Sequence, residues 1–156
     1  MLVPGDPHVD EMLELAHLAT SASFNDRQRS RWRALCSEML SQIKSGGAAS
    51  ERRRAVRGTA SLQVSVLSPQ AQGTAVTSTV SASGLSLRSE RAAAVGEALE
   101  IAISIPERRS PLRVLGEVVW SRGGELGVSL RQPSLEASET LEAVAVKALL
   151  VYGALE

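Results

Sequence analysis

Aromatic side chains are scarce in this chain: two tryptophans, one tyrosine and one phenylalanine make up 3% of its 156 residues. So thin a supply argues against the stacking platforms on which single-strand nucleic-acid binders hold successive bases. There is one cysteine, Cys36, so no disulfide can form within the chain, and a reducing compartment is the expected setting. Neither sign of charge is in excess, with 17 lysines and arginines against 17 aspartates and glutamates. A general binder of nucleic acid or of a membrane surface would carry a surplus of base. No apolar run reaches the ~20 residues of a membrane span. The residues from Met1 to Asp10 carry acids where a signal peptide would carry a basic stretch. The expected protein is cytoplasmic, with neither membrane nor nucleic acid as its partner. The two histidines, His8 and His17, are both near the N-terminus, far in sequence from Cys36 and without metal-ligand spacing. No nucleophile–base pair, glycine-rich phosphate loop or carboxylate pair stands in a supporting context. The chain therefore reads as a non-enzyme, with no catalytic residue, metal or cofactor.

Hydrophobic residues make up 44% of the chain and charged residues 22%, the balance of a globular domain with a core of ordinary size. Between Pro7 and Ala19 the apolar positions Met12, Leu13, Leu15, Ala16, Leu18 and Ala19 predict a helix, with Asp6 as its cap and Pro7 suited to its first position. The run Trp32, Leu35, Cys36, Met39, Leu40 and Ile43 keeps the spacing of one helical face. Asn25 or Asp26 can start this second helix, and Gly46 and Gly47 can end it. A stripe of that length must be covered, either by the rest of the chain or, through the helix around Trp32–Ile43, by a protein partner or a second copy. On it Cys36 reads as a small buried hydrophobe.

From residue 51 the period changes to two. Leu62, Val64 and Val66 alternate with Gln63 and Ser65; further strands run through Ala75 to Val80, Leu85 and Leu87, and Leu99 to Ile105. Leu112 to Arg122 predicts a long strand with a bend or bulge at Gly116, and Gly123-Gly124 a tight hairpin into Leu126, Val128 and Leu130. Six short strands without helices long enough for parallel crossovers imply an antiparallel barrel. Ser134 or Ser138 can then cap a closing helix carrying Leu141, Val144, Ala145, Ala148, Leu149 and Tyr152 on one face. The fold class expected is mainly β, a six-stranded antiparallel barrel at 51–133, preceded by a helical region and linker at 1–50 and followed by a helix at 134–156 that packs over an open end.

Two stretches carry chemistry. Glu51-Arg52-Arg53-Arg54-Ala55-Val56-Arg57 puts four guanidiniums where the helical region gives way to strands. Each is a flat, permanently charged fork that pairs bidentately with phosphate oxygens or with the O6/N7 edge of guanine. Between the second and third strands comes Ser78-Thr79-Val80-Ser81-Ala82-Ser83-Gly84. There Ser81 offers a hydroxyl, and Gly84 permits a positive φ and close backbone approach.

Together these resemble the PilZ domain, a bacterial receptor module for cyclic di-GMP whose pattern is RxxxR before the first strand and (D/N)xSxxG after the second. Arg53 and Arg57 match the first motif in spacing, with Arg52 and Arg54 beside them; Ser81 and Gly84 match the second. Gly96-Glu97-Ala98-Leu99-Glu100-Ile101 and Gly116-Glu117-Val118-Val119-Trp120-Ser121-Arg122 extend the resemblance over roughly 51–131. It implies that cyclic di-GMP is the ligand, bound by Arg52, Arg53, Arg54, Arg57, Thr79, Ser81 and Gly84, with binding relayed to a protein partner. Thr79 departs from the pattern, standing where an aspartate or asparagine is expected. Because a single hydroxyl is a poorer acceptor than a carboxylate, a second reading stays open: a protein-interaction module of PilZ-like fold that no longer binds the nucleotide.

Overall fold

The computed structural model describes residues 7–44, 56–67, 73–89 and 93–152. Two helices, α1 (Pro7–Ser21) and α2 (Asp26–Lys44), precede seven strands: β1 (Arg57–Thr59), β2 (Gln63–Val66), β3 (Gly73–Ser81), β4 (Gly84–Ser89), β5 (Ala98–Ile103), β6 (Leu112–Arg122) and β7 (Glu125–Leu130). Helix α3 (Leu135–Tyr152) follows. All strand pairings are antiparallel, and the ring β2-β3-β4-β7-β6-β5 closes on itself.

The barrel has six staves, as the alternation predicts, because β1 and β2 are two pieces of one stave. β2 pairs with the start of β3 (Gln63↔Val76 to Val66↔Gly73), and β1 with its end (Arg57↔Ser81 to Thr59↔Thr79). In the gap between them the buried Thr77 side chain helps replace the ladder: its Oγ1 accepts from Leu62 N–H at 2.8 Å and donates to the Ala60 carbonyl at 2.5 Å. Arg57 thus lies within the barrel wall, where the sequence placed it before the first strand. Gly123 and Gly124, at φ of 53° and 84°, make the expected hairpin turn. The bulge expected at Gly116 falls instead between Val118 and Trp120. Gly116 is needed for packing: a Cβ there would lie 2.4 Å from Val128 Cγ1.

Two apolar cores lie on either side of α3. The inner one fills the barrel with Leu87, Leu99, Ile101, Ile103 and Val118, and Ala137 and Leu141 of α3 pack into it, so this helix does cover the barrel as expected. On its other side Ala143, Ala145, Val146 and Leu149 pack with Met12 and Ala16 of α1 and with Trp32, Leu35, Cys36 and Met39 of α2. The stripe of α2 is therefore covered within the chain at these four residues. At about 25 cal/mol per Å² over the roughly 200 Å² an aromatic buries, Trp32 contributes on the order of 5 kcal/mol. Asn25 starts α2 by a reciprocal cap, its Oδ1 accepting from Gln28 N–H at 2.8 Å while Gln28 Oε1 accepts from Asn25 N–H at 2.9 Å. Ser134 caps α3 by a single bond, accepting from Ala137 N–H at 3.1 Å. The proposed caps Asp6, Gly46 and Gly47 lie outside the described residues. No helix among those described is long and apolar enough to cross a membrane.

Polar groups join α2 to α3. Arg29 donates to both carboxylate oxygens of Glu139, at 2.7 and 3.1 Å, and Trp32 Nε1–H donates to Glu142 Oε1 at 2.6 Å. Burial pushes the Glu142 carboxyl above its ordinary value, against the bonds from Trp32 and Cys36 that pull it down. Burial likewise raises the Cys36 thiol, which suits the inert role expected of it. Because the folded state holds the Glu142 proton more tightly than the unfolded state does, its contribution is greatest at acid pH and is lost as pH rises above the ordinary glutamate range. Glu142→Gln keeps an acceptor for Trp32 and removes the buried charge, so it should raise Tm by about 2–4 °C near neutral pH. That gain should fade as pH falls towards about 4.5. Thermal melts of both proteins across this range check it; a gain equal at every pH would mean that Glu142 is not held back by its charge.

Candidate functional site

A cleft of about 450 Å³ opens on the outer face of the barrel, over β3, β4 and β7. Alternation along β1 turns buried Gly58 towards α3 and leaves Arg57 exposed at the cleft, opposite Ser81 in register. A bulge in β3 between Thr77 and Thr79 breaks the strand alternation. Ser78 and Thr79 consequently both line the cleft. The second bulge does the same on β6, where the consecutive Val119 and Trp120 both line it and remain 48% and 42% exposed.

The turn from β3 to β4 is built on Ser81. Its hydroxyl is buried and accepts from Gly84 N–H at 3.1 Å and Ser83 N–H at 3.3 Å, while lying 3.1 Å from the Gly84 carbonyl to which it donates. Ser81 thus shapes the turn, where the sequence reading offered its hydroxyl to a ligand. At Gly84 the φ is not positive, but the close backbone approach expected of it is present. Its glycine is required because a Cβ would stand 2.7 Å from the Val128 carbonyl oxygen of β7. The motif thus brings the turn against the neighbouring strand.

Arg57 meets Thr79, Ser81 and Gly84, which follow it by more than twenty residues, at this one cleft. Arg52, Arg53 and Arg54 lie outside the described residues. Among the further residues that line it, which the sequence reading did not assign to the site, four carry chemistry: Trp120, Ser78, Ser86 and Glu125. Trp120 lies across Gly127, whose Cβ would come within 2.0 Å of the indole Nε1, so the absent side chain makes room for the ring. Ser78, Ser86 and Glu125 form a polar floor: Ser78 Oγ donates to Glu125 Oε1 at 2.9 Å and lies 2.7 Å from Ser86 Oγ, which in turn lies 2.8 Å from Thr79 Oγ1. The outward position of Gly127 between Leu126 and Val128 was legible in the alternation, but nothing in the sequence says that Trp120 covers it. Among the described lining residues the charged ones are Arg57 and Glu125. Such a cleft can take a ligand with an anionic part for the guanidinium, a flat part for the indole and hydrogen-bonding edges for the floor.

A family model described as PilZ domain matches residues 51–146. Among solved structures, the chain is similar to the inhibitor of motility MotI/DgrA of Bacillus subtilis, with a TM-score of 0.56 and 18% identity, over 64% of this chain and 52% of that one. It thus spans about half the length of the Bacillus protein. It is also similar to the PilZ domain of YcgR from Escherichia coli, solved with c-di-GMP, with a TM-score of 0.50 and 12% identity, over 62% of this chain and 91% of that one. At such identities these two structures speak to the fold alone. No curated protein matches in sequence.

Proposed function

Since the chain belongs to the PilZ domain family, we propose that it is a cyclic di-GMP receptor that grips the nucleotide in the outer cleft and relays binding to a protein partner. The observation that carries this reading is the convergence of Arg57 with the distant stretch of Thr79 and the Ser81–Gly84 turn on one cleft beside an exposed tryptophan. Cyclic di-GMP has two phosphates and two guanines. Arg57, with Arg52, Arg53 and Arg54 upstream, takes phosphate oxygens and the Hoogsteen edge of guanine, and Trp120 supplies a flat face for a base. The relay starts next to the ligand. Gly58, the neighbour of Arg57, sits so close to α3 that its Cβ would be 2.4 Å from the Ala145 carbonyl oxygen, and α3 carries α1 and α2 on its other side. A shift of β1 on binding would therefore be felt by the helical layer.

Thr79 in place of the pattern's acidic or amide residue favours the second reading, a module that docks on another protein without the nucleotide. Titration calorimetry with cyclic di-GMP separates the two. The receptor reading expects saturable heat together with a fluorescence change at Trp120, since the other tryptophan, Trp32, is fully buried away from the cleft. Trp120→Ala should remove that change and weaken binding by about 1–3 kcal/mol, the usual worth of one base–aromatic stack. A protein with neither heat nor fluorescence response is the interaction module.

A further inference from the structure

We infer that Glu125 is a specificity-determining positioning residue: through a chain of hydroxyls it turns Thr79 into the hydrogen-bond acceptor that the missing acid would have been. The inference rests on the receptor reading above and adds to it how this chain meets the guanine. An ionised carboxylate accepts hydrogen bonds and never donates, whereas each hydroxyl has one proton and two lone pairs. Those two rules orient the chain. Ser78 Oγ lies 2.9 Å from Glu125 Oε1, so Ser78 spends its proton there. At the 2.7 Å contact between Ser78 and Ser86, Ser86 must then be the donor. With its own proton committed, Ser86 can only accept at the 2.8 Å contact with Thr79 Oγ1, and it also accepts from Thr79 N–H at 3.1 Å. Ser86 is thereby saturated. The hydroxyl of Thr79 points inward, and both its lone pairs are left for the cleft, to which the exposed Thr79 belongs.

The consequence is a threonine that behaves as an acceptor with a carboxylate at the end of its chain, since successive hydrogen bonds polarise one another. Guanine's base donors are N1–H and the exocyclic amine, both on its Watson–Crick edge, so that is the edge the cleft selects at this position. Without Glu125 the chain can run the other way. Thr79 would then present a proton to the same edge, and the contact would be lost. The basic cross-strand neighbours of Glu125, Arg88 on β4 and Arg122 on β6, stand in register with it.

The test is calorimetry with cyclic di-GMP on four full-length proteins: the parent, Glu125→Gln, Thr79→Asp and the double variant. Glutamine is isosteric but can donate to Ser78, so it frees the chain to reverse. In the parent, Glu125→Gln should weaken binding about fivefold to tenfold, the difference between a charge-assisted and a neutral contact. In the Thr79→Asp protein the same change should strengthen binding, because a carboxylate at position 79 needs no relay and Glu125 becomes a like charge that, by holding the Ser78 proton, draws the proton of Ser86 towards Ser78 and away from position 79. A reversal of sign is something a merely structural role would not produce. Ser78→Ala, which cuts the chain in the middle, should repeat the pattern and serves if Glu125→Gln melts early. The inference is overturned if both backgrounds respond with the same sign, or if the parent binds and neither substitution changes its affinity. Absence of binding in both the parent and Thr79→Asp brings down the receptor reading, and the inference with it.

Discussion

Replacing Arg53 and Arg57 together with alanine should abolish cyclic di-GMP binding at ordinary calorimetric concentrations. A hydrogen bond to a charged group contributes about 1.5–3 kcal/mol, so each arginine is worth about one to two decades of affinity. Two together are worth about two to four decades, unless they share one phosphate and are not additive. Arg57 has the structural case: it is exposed, anchored in register opposite Ser81, and lines the same cleft as Thr79 and Trp120. Arg53 stands four residues earlier in the RxxxR spacing, outside the described residues. The single variants should each show part of the loss, and the parent's affinity should fall with added salt, as charge-assisted binding does. Arg113→Ala is the control, being an exposed arginine of β6 that does not line the cleft. An affinity unchanged in either single variant would assign that arginine to a solvated run.

The largest loss of stability should come from Gly58→Val. Its Cβ would lie 2.4 Å from the carbonyl oxygen and 2.8 Å from the Cα of Ala145, both backbone atoms in the middle of α3 that no rotamer change can move. Either β1 lifts from β3 or α3 shifts, and α3 is common to the barrel core and the helical core. Overpacking a rigid site of this kind costs about 3 kcal/mol, which for a chain of this length lowers Tm by about 6–12 °C. Circular dichroism melts measure it, with Ser61→Ala, at an exposed position in the β1–β2 gap, as the near-neutral comparison. A Tm within a degree or two of the parent would mean that β1 and α3 part without consequence, and the proposed relay from Arg57 to the helices would lose its mechanical basis.

Much of the fold was legible in the chain because its determinants are local. Periodicity of two in Leu62-Val64-Val66 and Leu99-Ile101-Ile103, the helical spacing from Trp32 to Met39, the glycine pair at the hairpin and the caps Asn25 and Ser134 are each read from neighbours a few residues apart. The site was legible only as two motifs in the right order. Gly84 and Gly116 were rightly singled out as special, Gly84 for a close backbone approach though not for a positive φ, and Gly116 for packing where a bulge was expected. A close approach from another strand leaves the same glycine in the sequence as a positive φ or a bulge does, and the approaching Val128 lies more than ten residues away.

What the sequence by itself determined is the set of elements, the barrel they imply and the residues able to grip a phosphate or shape a turn, because backbone propensity and side-chain chemistry travel with each residue. Tertiary structure decided which of them meet. Two bulges, at Ser78 and Val119, break the alternation at the cleft and bring Thr79 and Trp120 to it; Glu125 reaches Ser78 only because β7 pairs with β4 and β4 with β3. The stripe of α2 could have met a partner as easily as α3 by its pattern alone, since burial is a property of whatever surface arrives, and here α1 and α3 arrive first.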